Sequence, residues 1–305
     1  MTSPLLAQDS PYGRLYRHPS TQNLENYTIE EALKLGLLVP SVTNVIGSLD
    51  KPFLTTWHGR LAAKTALDLF FERSELVRRK PREAEEYIKE TAPRKLLASG
   101  ILGDTVHNIV EALAQGKESQ TIEPHIQPYI DSFHDFVKEF SPEYHYFEVT
   151  CFGSIIDPKL GELKYAGTAD FIASINGLMV VGDYKSGKSI HTEAALQLAA
   201  LANAKEMITD AGEIIQMPKV ASGAVVHLSP KGFSLYQSEP YGVAWDVFSE
   251  LRKVWDFHVA NLASRNPILL SRPIRKSSGF VLPAKQHPSS LKSGLLEPTN
   301  LENEE

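Results

Sequence analysis

Two apolar runs joined by Asn176-Gly177 constrain this chain more than any other feature. Residues 164–174 precede the pair and Leu178-Met179-Val180-Val181 follow it. Asn-Gly suits the positive-φ positions of a two-residue hairpin turn, so the runs predict adjacent antiparallel strands. The turn also fixes what faces what. Asp170 stands six positions before Asn176 and Asp183 six after Gly177, so closing the hairpin sets the two aspartates opposite each other. Two carboxylates held that close repel unless a divalent cation lies between them. Lys185, two residues past Asp183, points to the same side of an extended strand. Hard oxygen ligands beside an ammonium suit phosphodiester hydrolysis. Mg2+ or Mn2+ would activate water, and the lysine would orient the nucleophile or stabilise developing charge.

The same stretch carries a second reading. Residues 182–189 match G-x-x-x-x-G-K-S, the phosphate-binding loop of ATPases, after an apolar strand and before a helix. Its interior, Asp-Tyr-Lys-Ser, is bulky and partly acidic where backbone amides should wrap a polyphosphate. Such an ATPase also needs a later apolar strand ending in an aspartate for Mg2+, and the best candidate, residues 224–229, has no acid.

The surrounding chain reads as one α/β domain over residues 27–265. A helical lead-in covers 27–140, a catalytic core 100–240 and a last helix 241–263. Thr28 and Glu31 form a capping box for a helix to Leu35, and Ser41 caps a short helix over 42–46. Lys51-Pro52 opens a longer helix with Leu54, Trp57, Leu61, Thr65 and Leu69 on one face. Residues 72–95 are rich in charge, which suits a solvated helical surface or, at Arg78–Arg82, contact with a phosphate backbone. The next helix spans 100–116 with Ile101, Val106, Ile109, Val110 and Leu113 as its apolar stripe. His107 and Glu111 share a different face of it, which makes Glu111 a candidate metal-associated acid. A further helix is expected over 124–140.

From Glu143 the period changes to two, with Tyr144, Tyr146, Glu148 and Thr150 alternating with His145, Phe147, Val149 and Cys151. A helix over 192–208, a hairpin over 220–237 and a helix over 241–262 follow, the last with Val243, Val247, Leu251 and Val254 in register. Residues 1–26 are polar and turn-rich and read as a loose arm. The proline- and serine-rich tail of 266–305 reads as disordered, a candidate surface for a recombination or replication protein.

Composition narrows the chemistry. The single cysteine, Cys151, excludes an intramolecular disulfide, a four-cysteine zinc site and an iron–sulfur cluster held by four cysteines. Cys151 itself is expected as a buried strand residue. A net charge of −6 gives no global basic field, yet an acid-rich active site lowers the total, so DNA remains an eligible partner. No apolar run reaches the roughly 18 residues of a membrane span. With no basic leader, the cytoplasm is expected, the host's if the chain is phage-encoded.

In order, the chain holds Gly103-Asp-Thr-Val-His107, Gly167-Thr-Ala-Asp170, Asp183-Tyr184-Lys185-Ser186, and Gln197 on a following helix. This set resembles the PD-(D/E)xK nuclease superfamily, in particular its RecB-like exonucleases. Residues 39–46 with Trp57 resemble the lead-in helices of phage and mitochondrial members. The resemblance covers roughly residues 40–240. It implies a restriction-endonuclease-like core, a central mixed β-sheet flanked by helices, and a metal-dependent DNA nuclease, favouring an exonuclease of recombination, repair or phage replication. Asp170 would be the central metal ligand, Asp183 the second with the Tyr184 carbonyl beside it, and His107 a further ligand. Lys185 would be the catalytic lysine and Gln197 a substrate-positioning residue. Glu148 matches an acid often found on a neighbouring strand, and Lys188 is a candidate phosphate contact. Leu201 stands where the family often has tyrosine, and the cysteine clusters of its iron–sulfur members are absent. An endonuclease of the same fold, a P-loop ATPase and a DNA-binding homologue without catalysis remain the alternatives.

Overall fold

The computed structural model of the chain describes residues 7–21, 24–117, 121–209 and 211–263. The serine- and proline-rich tail and its expected partner lie outside these residues. The loose arm is corrected over part of its length. β1 (Ala7–Ser10) and β2 (Gly13–Arg17) form a hairpin, and β2 also pairs with β3 (Leu38–Pro40). Its polar composition hides two anchors. Leu15 and Tyr16 are buried, and the Asn44 side chain donates to the Tyr12 and Arg14 carbonyls at 3.2 and 2.7 Å.

The helical lead-in follows its capping chemistry. Thr28 and Glu31 close the expected capping box on α1 (Ile29–Lys34), and Ser41 accepts from the Asn44 amide at the start of α2 (Val42–Ile46). Proline opens both α3 (Pro52–Glu72) and α5 (Pro81–Ala114), where its missing N–H costs nothing. α3 buries Leu61, Thr65 and Leu69, the face its spacing predicts. α4 (Ser74–Arg79) and the first part of α5 take up the charged segment, so α5 begins well before the expected residue 100. Its buried positions are Ala84, Ala92, Val106 and Val110, and Ile101 is exposed rather than in the stripe. The helix reaches the sheet only near its C-terminal end, and upstream it packs on α3 and α4. α6 (Gln127–Phe140) completes this layer.

The sheet comprises β4 (Glu143–Asp157), β5 (Gly161–Ile175), β6 (Leu178–Lys185), β7 (Glu206–Ile208), β8 (Ile214–Gln216), β9 (Ser222–Ser229) and β10 (Gly232–Ser238). Their order is β10-β9-β6-β5-β4-β7-β8, and β6 runs parallel to β9, which makes the sheet mixed as expected. α2, α7 (Glu193–Ala202) and α8 (Val243–Ala263) cover one face, and α5 and α6 the other. Two boundaries differ from expectation. The helix expected to reach residue 208 ends at Ala202, where the Asn203 side chain donates to Ala199 and Pro240 carbonyls at 2.9 and 2.8 Å. The chain then re-enters the sheet as β7, burying Met207 and Ile208 beside β4. On α8 the buried residues are Phe248, Leu251, Arg252 and Trp255, while Val243, Val247 and Val254 are exposed. The aromatic face wins because Phe248 packs edge-on to buried Tyr165 and stacks with Trp245. Among the described residues no helix is long and apolar enough to cross a membrane.

Candidate metal centre

The hairpin forms in the register its turn requires. β5 and β6 pair from Ile175↔Leu178 to Phe171↔Gly182, and one further step sets Asp170 against Asp183. On the other side, β4 pairs Phe147↔Phe171 and Val149↔Ala169, so Glu148 stands opposite Asp170. The register thus aligns one acid from each of three adjacent strands.

At this row the alternation of the strands inverts. Phe147 and Phe171 pack into the core under α5 and α6, whereas Val149 and Ala169 pack into the core under α7 and α8. Residues two apart on a regular strand share a face, so both strands turn over at Glu148 and Asp170. Glu148 shows the backbone cause, with φ at 46°, in the left-handed region that costs a non-glycine residue about 1 kcal/mol or more. A second irregularity lies between Tyr144 and Tyr146. The regular period two expected over 143–151 is therefore corrected at two places.

α5 delivers His107 to this row. Its Nε2 lies 2.7 Å from Glu148 Oε1 and its Nδ1 3.4 Å from Asp170 Oδ2. Asp170 Oδ2 also accepts the Tyr184 amide at 2.7 Å. Gly103, one turn before His107, faces the strand exit, but a Cβ there would make only an ordinary 3.7 Å contact with Ser186 Oγ, so the approach of α5 does not depend on glycine. The hydrogen bond to Glu148, working against burial, raises His107 to about 9. Burial first, and then Asp183, pushes Asp170 up to about 8.

Asp183 is nearly fully buried and faces α7. Its Oδ1 accepts from Lys185 Nζ at 2.7 Å and from Gln197 Nε2 at 3.0 Å. Lys185 lies 2.7 Å from Asp183 Oδ2 as well, so its ammonium already balances this buried carboxylate. The residues whose ligand atoms converge are His107, Glu111 and Glu148, within 4.8 Å of one another; Asp170 and Asp183, the ligands expected from the sequence, are not in that group, although Asp170 reaches His107 at 3.4 Å. Carboxylate oxygens with one imidazole fit a hard divalent ion such as Mg2+ or Mn2+.

The other expected residues divide. Glu111 joins the His107–Glu148 group, and its Oε1 accepts from Gln115 at 2.6 Å. The Tyr184 side chain turns to the face opposite Asp183, where its hydroxyl meets Tyr144 at 2.6 Å and its ring lies edge-on to His107 at 6.4 Å, so it backs the histidine as well as giving its amide to Asp170. Lys188 is exposed beyond the end of β6, outside this group. Leu201 is buried against Gly167, so it is a core residue and no substrate contact. The G-x-x-x-x-G-K-S stretch does not form a phosphate loop: residues 182–185 are strand, and α7 starts only at Glu193. Gly182 serves packing, since a Cβ there would run into the Phe171 ring. The inversion at Glu148 and the Tyr144–Tyr184 pair were missed, and no local sequence signal marks either.

No family model matches the chain, and no curated protein does. Among solved structures, the crystal structure of SSO0001 is similar at 18% sequence identity and a TM-score of 0.34, over 67% of this chain and 87% of that one. A likeness of that size carries no argument about function.

Proposed function

We propose that the chain is a Mg2+- or Mn2+-dependent deoxyribonuclease that hydrolyses phosphodiester bonds. The observation that supports this best is the meeting of Glu148, Asp170 and Asp183 across three strands with His107 from a helix and Lys185 on Asp183. His107, Glu111 and Glu148, whose ligand atoms converge, would hold the ion, and the resemblance adds Asp170 and Asp183. When bound, it supplies a polarised water and offsets charge on the phosphate. The chain's own groups divide the remaining work. His107 gives up its proton to become a ligand. Gln197 keeps the Asp183 carboxylate oriented. Lys185, with its side chain 38% exposed, presents its ammonium where a phosphate oxygen can reach it. An exonuclease of recombination, repair or phage replication is the form the sequence resemblance implies.

Degradation of linear DNA with Mg2+ tests the proposal. Asp170→Ala and Lys185→Ala should each abolish it while the protein stays folded, and wild-type degradation by either variant would refute it. Running linear and circular, single- and double-stranded substrates together separates exonuclease from endonuclease action.

A further inference from the structure

A cleft of about 390 Å³ opens beside Lys185 and Gln197, the two side chains that hold Asp183. This volume lies in the range of small-ligand sites, about 300–1,000 Å³. Its floor is aliphatic, from Ile46, Leu54 and Ile190. One wall is flat and aromatic: the rings of Phe53 and His191 stack at 5.3 Å with planes 17° apart. Phe53 is 48% exposed, although it is a large apolar residue at the first turn of a helix. Lys51 stands at the rim, 3.2 Å from Glu193. The aromatic wall and apolar floor match a planar base, and Lys185 at the inner end matches its phosphate, while at the rim Lys51 is balanced by Glu193. Aromatic stacking of this kind holds single-stranded bases without regard to sequence.

We infer that this cleft seats a nucleobase next to the scissile phosphate, with Phe53 and His191 as its stacking platform. The inference rests on the nuclease reading above and adds two specificity residues to it. The base joins the Phe53–His191 stack as a third ring, and its phosphate comes to lie against Lys185. Because the platform acts on the base alone, it contributes to substrate affinity and leaves the chemical step unchanged.

Steady-state cleavage of a single-stranded oligonucleotide by the full chain with Mg2+ tests this. Phe53→Ala and His191→Ala should each raise KM about tenfold at unchanged kcat, the effect of losing one stacked base, and Phe53→Trp should restore it. A substrate carrying one abasic residue, moved along the strand, should raise the wild-type KM by a similar factor at one position. Phe53→Ala should show no added effect at that position. If Phe53→Ala unfolds, Phe53→Leu and His191→Ala carry the comparison. Wild-type KM in the variants, a fall in kcat at unchanged KM, or no metal-dependent cleavage of the single strand by a wild type that cuts duplex DNA overturns the inference and leaves the nuclease reading standing. Absence of metal-dependent cleavage of every linear, circular, single- and double-stranded substrate overturns both.

Discussion

Replacing Asp170 by asparagine should strengthen the metal-free fold while removing a proposed metal ligand. The Asp170 side chain is only 13% exposed. Burial and Asp183 push its carboxyl up to about 8, from 3.8 in a free chain. Near pH 7 the folded, cation-free protein therefore holds a proton that the unfolded chain releases. About three pH units at ~1.4 kcal/mol each set a ceiling on the order of 4 kcal/mol for that cost. Asparagine has nearly the same shape without the cost, but it weakens the contacts to His107 and Lys185. A net gain of about 2 kcal/mol is expected. The pH dependence has a definite sign. A raised carboxyl pKa means the folded state binds more protons than the unfolded state between roughly pH 4 and 8, so stability falls as pH rises through that window. His107 acts the same way: its stabilising contribution is complete below 6.5 and is lost as pH rises through about 9. Urea unfolding in EDTA at about pH 5, 7 and 9 checks both groups. Wild-type stability should fall across the series, and the variant should fall less and exceed it at the two higher values. Mg2+ or Mn2+ should reverse that order, because an ion that binds only the folded wild type stabilises it. A variant less stable than wild type in EDTA at high pH would refute the reasoning, since Asp170 would then be an ordinary structural ion-pair partner.

Three further outcomes follow from the same geometry. Glu148→Gly should weaken Mn2+ binding about tenfold or more, by removing a proposed ligand and freeing His107, yet shift unfolding by less than about 1 kcal/mol, because glycine relieves the left-handed backbone; calorimetric titration and urea melts read the two effects separately. Gly182→Ala should destabilise by about 1–3 kcal/mol through the Phe171 ring without conferring or removing ATP affinity, checked by urea unfolding and nucleotide titration. Burial pushes the Cys151 thiol up to about 12, so its alkylation should be negligible in the native state and should rise in step with global unfolding as urea is added.

What was legible in the sequence was local. Asn176-Gly177 fixes its hairpin register through the φ values of two residues, and that register alone sets Asp170 against Asp183. The caps at Thr28 and Ser41 are likewise made by neighbours within three residues. The illegible parts are set by distant partners. The inversion at Glu148 exists because β4 and β5 change faces together, which a period-two pattern on one strand cannot express. The end of α7 depends on Pro240, whose carbonyl accepts from Asn203. The face of α8 is chosen by Tyr165, and the N-terminal hairpin is held by Asn44. The candidate site shows the same division: the residue types and the aspartate register could be read along the chain. The bridging of Glu148 and Asp170 by His107, and the aromatic cleft beside Lys185, appear only when α3, α5 and α7 are packed around the sheet.

Strand cleavage by wild type and Asp183→Asn, with Mg2+ and with EDTA, is the most direct measurement of the central claim. Asp183 is the most deeply buried acid of the row, and both Lys185 and Gln197 are oriented on it. The account predicts cleavage by wild type only with the metal, and a loss of roughly a hundredfold or more in the variant. Cleavage that persists in EDTA, or a variant that cuts at the wild-type rate, would contradict it.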